Sequence, residues 1–176
     1  LAYQHYSKGI ELAGKKKYED ALKSFQMAID LNPSYIASYS EYARAATLLG
    51  KRKSALEKLT TAINFASGKS EREKLMAERD NLSEIFYTNE TFQNYQNGMN
   101  FLRLNQSNNA LEAFEKALKT EPDNLLILTA YADALKLEDR TKEAADIFEQ
   151  AVMLNDRKRE ARYALAELVL EQNPER

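Results

Sequence analysis

The chain has no cysteine and no tryptophan, one histidine, three prolines and five glycines in 176 residues. Without cysteine there is no disulfide, no thiolate metal site and no thiol nucleophile, although the compartment is not thereby fixed. A single histidine, His5, leaves no His pair for zinc, and no glycine-rich phosphate loop is present. No apolar run approaches the roughly 18 residues of a membrane-spanning helix. Charge of one sign is also missing overall: the net charge of −2 predicts no generic affinity for nucleic acid or an anionic membrane.

What is present is a soluble globular composition, 44% apolar and 30% charged, in a chain long enough for one good-sized domain or two small ones. It begins at Leu1 rather than Met, which reads as an excised piece or a processed form. The compartment stays open, with a cytoplasmic setting the favoured expectation. Asn81, Asn89 and Asn105 each stand in an N-x-S/T triplet, which matters only in a glycosylating compartment.

Scarce Gly and Pro allow helix almost throughout. "ALKSFQMAIDL" places Ala21, Leu22, Phe25, Ala28 and Ile29 on one face of a 3.6-residue helix, and the same stripe recurs three more times. About ten helices are expected, near 2–14, 18–31, 35–49, 52–66, 70–87, 91–104, 107–120, 124–138, 141–154 and 158–171, with no convincing strand. Gly14 and Gly50 are expected to end helices in the left-handed conformation, and Pro33 and Pro122 to follow the ends of two others.

The stripes keep a fixed distance. Ala21, Phe25 and Ala28 become Ala55, Leu59 and Ala62 after 34 residues; Ala110, Phe114 and Ala117 become Ala144, Phe148 and Ala151 after another such step. A small residue precedes each first Ala by twelve positions: Gly9, Ala43, Gly98 and Ala132. Small residues let helices approach to about 8–9 Å, so Ala28→Leu or Ala117→Leu is expected to destabilise by overpacking. Two helices per 34 residues resemble the tetratricopeptide repeat. The resemblance covers 2–35, 36–69, 91–124 and 125–158. The phrase reads Gly9–Leu12–Ala21–Phe25–Ala28–Pro33 in the first repeat and Gly98–Phe101–Ala110–Phe114–Ala117–Pro122 in the third. Ser67 and Asp156 replace the proline in the others, and His5, Tyr39, Asn94 and Leu128 stand at the family's tryptophan position.

The resemblance implies an all-α, right-handed solenoid of helical hairpins. Residues 70–90 fall outside the repeat arithmetic. With the segment after the fourth repeat they read either as caps closing two halves, 1–90 and 91–176, or as an insertion in one continuous stack. In the first reading a capping helix spans 159–171.

Carboxylates are spread along helix faces, often with Lys or Arg three or four residues away, so no catalytic pair is nominated and no enzyme, metal or cofactor is expected. His5 occupies a packing position. The resemblance assigns first-helix side chains to a concave groove: Tyr3, Tyr6 and Ile10; Arg44; Phe92, Tyr95, Met99 and Leu102; and Asp133. Aromatic anchors beside polar groups suit a peptide or protein partner; cover by a cap, by the odd helix or by neighbouring repeats is the alternative. Family members that grip the acidic C-terminus of heat-shock chaperones carry basic and asparagine residues where this chain has Tyr6, Ile10 and Glu41, then Tyr95, Met99 and Ala130, so that clamp is not matched.

Charge is uneven. Residues 1–69 carry net +5 and 70–176 net −7. Lys15, Lys16 and Lys17, with Lys51, Arg52 and Lys53, are expected to line a basic edge of repeat turns. That edge would be either solvated or a dock for an acidic partner, including another copy's acidic half in a homo-oligomer. A protein-interaction scaffold is the expected function; an assembly module, or an accessory domain of a larger and possibly enzymatic protein, is the alternative.

Overall fold

The computed structural model describes residues 1–172. Among them are ten helices and no strand: α1 (Ala2–Gly14), α2 (Tyr18–Leu31), α3 (Ile36–Leu48), α4 (Arg52–Phe65), α5 (Lys69–Glu84), α6 (Asn89–Arg103), α7 (Ser107–Thr120), α8 (Leu125–Leu137), α9 (Thr141–Leu154) and α10 (Arg159–Gln172). The chain forms two compact units, Leu1–Leu82 and Ser83–Arg176.

Within the first unit α1 packs on α2, α2 on α3 and α3 on α4, while the alternate helices α1 and α3 also touch. The second unit repeats this from α6 to α9, with α6 touching α8 and α10 added on α9. Single amphipathic hairpins cannot bury their apolar faces alone, and stacking supplies the missing surface. The small-residue positions form the seam. Gly9, Ala21, Ala28, Ala43, Ala55 and Ala62 are buried in the first unit; Gly98, Ala110, Ala117, Ala132, Ala144 and Ala151 are buried in the second. Phe25, Phe114 and Phe148 fill the spaces between them.

Helices α1 and α2, and likewise α6 and α7, approach closely at a glycine. A Cβ built on Gly9 would stand 2.4 Å from the Phe25 ring, and one on Gly98 2.4 Å from the Phe114 ring. Tyr39, at the family's tryptophan position, is 1% exposed. It satisfies its buried hydroxyl by donating to the Pro33 carbonyl at 3.0 Å.

The helix-ending turns also recur at the repeat distance. Lys16, Gly50, Asn105 and Asp139 all have positive φ, at 58°, 70°, 55° and 56°. At each, the amide one residue on returns to a carbonyl five residues earlier: Lys17 to Leu12, Lys51 to Ala46, Gln106 to Phe101 and Arg140 to Leu135. This is the hydrogen bonding of a Schellman end. Gly14, expected to take the left-handed conformation, stays inside α1, and Lys16 takes it instead. The returning amide at Lys17 requires the left-handed residue to be number 16. A lysine with its Cβ is strained there. Lys16→Gly should therefore stabilise the first unit by about 0.5–1 kcal/mol net of glycine's unfolded-state entropy. A thermal melt beside wild type checks this.

Helix limits agree with expectation within about two residues except around α5. The apolar spacing predicts a helix running to residue 87, but α5 ends at Glu84. Thr88 caps α6 from extended backbone (φ −131°, ψ 148°), its hydroxyl accepting from the Thr91 amide at 3.1 Å. Side chains of the second unit bind the main chain of residues 85–88. These contacts outweigh the helical periodicity of Ile85 and Phe86.

Candidate functional site

In the first unit, Tyr3 is 68% and Ile10 40% exposed on α1. Tyr6 lies half-buried between them. Its ring centroid is 6.1 Å from Phe25, 6.3 Å from Tyr3 and 5.2 Å, edge-on, from Tyr35. Burial, aided by the Glu41 charge, pushes its phenol above the ordinary tyrosine value. Tyr6 is thus part packing residue and part surface. On α3, Arg44 is exposed and pairs with Glu41 at 3.3 Å. Arg44 and Glu78 of α5 border a hollow of about 200 Å³ whose floor includes Ala43 and Leu82. Desolvation raises the Glu78 carboxyl above its usual range, with Arg44 opposing and Glu41 adding to the rise. One guanidinium here stands among two carboxylates.

The second unit repeats the aromatic arrangement 89 residues later. Phe92 is 41% exposed, and the half-buried Tyr95 ring sits 6.0 Å from Phe114. Burial, then the Glu84 charge, raises the Tyr95 phenol. Met99 and Leu102 pack partly against the unit's core. Phe92, Tyr95, Gln96, Met99, Asn100 and Arg103 line a hollow of about 340 Å³. On α8, desolvation raises the Asp133 carboxyl while Lys136 opposes. Lys136 itself bonds Glu167 of α10 at 2.9 Å. The structure therefore gathers Tyr3, Tyr6 and Ile10 in one unit and Phe92, Tyr95 and Met99 in the other; Arg44 and Asp133 lie among charged neighbours on the next first helix.

The basic edge loses a member. Lys15, Lys16, Lys17, Lys51 and Lys53 are exposed, but Arg52 is fully buried. Its Nε donates to the Leu82 carbonyl at 3.1 Å, near the end of α5. The carbonyls of a last helical turn need outside donors, and this guanidinium supplies one. Two of the remaining lysines are committed locally, Lys15 to Glu11 and Lys51 to Glu19, the latter at 2.8 Å.

Sequence reasoning also missed Phe86, Glu121 and Asn124. By spacing alone Phe86 shares a helix face with Leu82 and Ile85; its ring instead lies 5.2 Å from both Phe92 and Tyr95. Asn124 carried a usable signal, because an asparagine before "LLIL" is a helix cap, and its side chain accepts from the Leu126 amide at 3.1 Å. Glu121 carried none. A further hollow of about 390 Å³, lined by Asn94, Asn97, Phe101 and four α7 residues, was not foreseen either. Among the described residues no three His, Asp or Glu side chains gather as metal ligands, and no helix is long and apolar enough to cross a membrane. The arrangement sets exposed apolar side chains beside charged ones.

Two models described as tetratricopeptide repeat match the sequence, over residues 2–35 and 33–158. A curated relative, uncharacterized protein MJ0572 of Methanocaldococcus jannaschii, is 39% identical over 56 residues, 32% of this chain. That match spans 65% of the relative's length. Among solved structures, the TPR domain of P58(IPK) aligns with 98% of this chain and 56% of its own, at 16% identity and TM-score 0.52. TTC0263, a thermophilic TPR protein of Thermus thermophilus, aligns over 97% of this chain and all of its own, at 19% identity and TM-score 0.43. YrrB, solved as a TPR protein with an unusual peptide-binding site, aligns over 93% and 91%, at 17% identity and TM-score 0.41. With a family model covering most of its length and four helical hairpins at the 34-residue spacing, the chain belongs to the tetratricopeptide repeat family.

Proposed function

We propose that this protein is a non-catalytic interaction scaffold, and that a partner's peptide segment lies against the first-helix faces of its units. The observation that carries this reading is the exposure of Tyr3, Ile10 and Phe92 at 68%, 40% and 41% beside half-buried aromatic rings. Large apolar side chains grouped with a tyrosine hydroxyl and nearby charges have the composition of a binding hot spot. The hollow beside Phe92 and Met99 offers room for an anchoring side chain.

The test uses residues that the core does not need. Tyr6 and Tyr95 touch Phe25 and Phe114, so replacing them would confound binding with stability. Tyr3→Ala and Phe92→Ala are the better pair. Peptides selected on wild type from a displayed library should bind the double variant about 30-fold more weakly, the loss of one hot spot of about 2 kcal/mol, with its helical content retained. Equal affinity in both proteins would place the site elsewhere. A mass that rises with concentration in wild type but not in the variant would assign these side chains to contact between copies.

A further inference from the structure

Glu84, the last residue of α5, and residues 85–88, which lead to α6, are held along their length by other residues of the second unit. The amides of Tyr87 and Thr88 donate to the Glu121 carboxylate at 2.7 and 3.2 Å. The Asn124 side-chain amide donates to the Ile85 carbonyl at 2.9 Å and to Glu121 at 3.2 Å. Glu84 pairs with Lys158. Between these points the Phe86 ring lies 5.2 Å from Phe92 and from Tyr95, both at groove positions of α6.

The pattern is that of a bound peptide. One aromatic side chain sits on an aromatic pair, while the carbonyl before it and the two amides after it are taken by side chains of the receiving surface. Main-chain bonds supply affinity and the side-chain pocket supplies choice. Ile85 is 41% exposed, so the residue before the aromatic is held by its carbonyl and not chosen by its side chain. Glu121 and Asn124 are 2% and 0% exposed. Burying a carboxylate and an amide is costly unless they are bonded, and the loop's main chain helps to satisfy them. The first unit has Asn32 and Tyr35 at the corresponding positions, so this polar pair belongs to the second unit alone.

We propose that this surface of the second unit recognises extended segments centred on an aromatic residue, and that residues 84–88 occupy it as a ligand in cis. The proposal rests on the groove reading above and specifies its ligand chemistry. A tethered segment competes at an effective concentration in the millimolar range. A partner in trans must therefore gain more than the loop provides. The hollow lined by Gln96, Met99, Asn100 and Arg103 starts at the same two rings and is bordered by α6 alone, leaving space for such a gain.

The probe is a synthetic peptide of residues 83–90, SEIFYTNE, titrated into the full chain by calorimetry or NMR. Wild type should show no binding below about 1 mM. Phe86→Ala, which weakens the tethered competitor, should bind the peptide at least about tenfold more tightly than wild type. Glu84→Ala, which weakens the tethered loop and leaves Lys158 open to the peptide's own glutamate, should give a smaller gain and carries the test if Phe86→Ala does not fold. A peptide with Pro in place of Tyr87 loses an amide and should fail, as should one with Ala in place of Phe86; Ala in place of Ile85 should bind normally. If neither protein variant binds better than wild type, or if the proline peptide binds equally well, the contacts are loop packing only and the proposal is wrong. Should the library peptides still depend on Tyr3 and Phe92 in that case, the groove reading stands without this inference; if they too are indifferent, both fall.

Discussion

Gly98→Ala should destabilise the second unit by about 2 kcal/mol, even though alanine is the better helix former. The new Cβ would stand 2.4 Å from the Phe114 ring, inside any contact that carbon atoms tolerate. Phe114 is 0% exposed, and the Tyr95 ring lies 6.0 Å from it, so the ring has no open space to enter. Overpacking of this severity costs upward of about 3 kcal/mol. Helix propensity returns about 1 kcal/mol. For a unit of this size the net loss lowers Tm by roughly 10 °C. A double-mutant cycle isolates the cause. Phe114→Leu removes the ring edge, so Gly98→Ala/Phe114→Leu should be more stable than the sum of the single effects implies. A melt of Gly98→Ala at or above wild type would show that the helices separate at little cost. Gly9→Ala against Phe25 is the same experiment in the first unit, where the approach is also 2.4 Å.

The close crossing behind that clash was legible before the structure because the repeat states it several times. A small residue twelve positions before an alanine, with an aromatic four beyond, has one simple reading: two helices crossing closely with a ring beside the crossing. Periodicity reports which residues face a neighbour, so Ala21, Phe25 and Ala28, and their counterparts in α7, could be assigned to the core. It could not report contacts made by residues outside the period. Ile85 and Phe86 continue the apolar spacing of α5, and the Thr88 cap marks the start of α6 without telling α5 to stop at Glu84. The information lies in Glu121 and Asn124, more than thirty residues away, whose side chains bind the loop's main chain. The groove residues fall between these cases. Tyr3, Ile10 and Phe92 are exposed, while Tyr6 and Tyr95 are shared between the surface and the core. Lysines 15–17 stand exposed at their turn, but "KRK" at 51–53 conceals a different element.

Three consecutive cations at 51–53 should respond to mutation by very different amounts. Lys51 and Lys53 are exposed, and replacing either by alanine should change stability by no more than about 0.5 kcal/mol. Arg52 is 0% exposed in the first turn of α4, with its Nε on the Leu82 carbonyl. Leu82 belongs to the last turn of α5, whose carbonyls have no partner within the helix. Arg52→Ala would remove that donor and leave a space the length of the side chain. An orphaned buried acceptor costs about 1–3 kcal/mol and a residual cavity adds to it, so a total near 3–4 kcal/mol is expected. Lysine at 52 should recover only part, because an ammonium does not reproduce the fixed fork of guanidinium donors. The loss should appear first where the contact is made. Leu75, Arg79, Leu82 and Ser83 are the buried residues of α5, and its sequence is otherwise strongly polar. Arg52 joins these side chains, and the Arg72 bond to the Ala66 carbonyl, in holding the helix to its unit. Hydrogen exchange in Arg52→Ala should therefore lose protection across residues 75–84 while the amides of Ala21–Ile29 in α2 keep most of theirs. Unchanged exchange in α5 would show that the arginine is a buried passenger. Equal loss in α2 would show that α5 and the hairpins unfold together, and that this guanidinium holds the whole first unit.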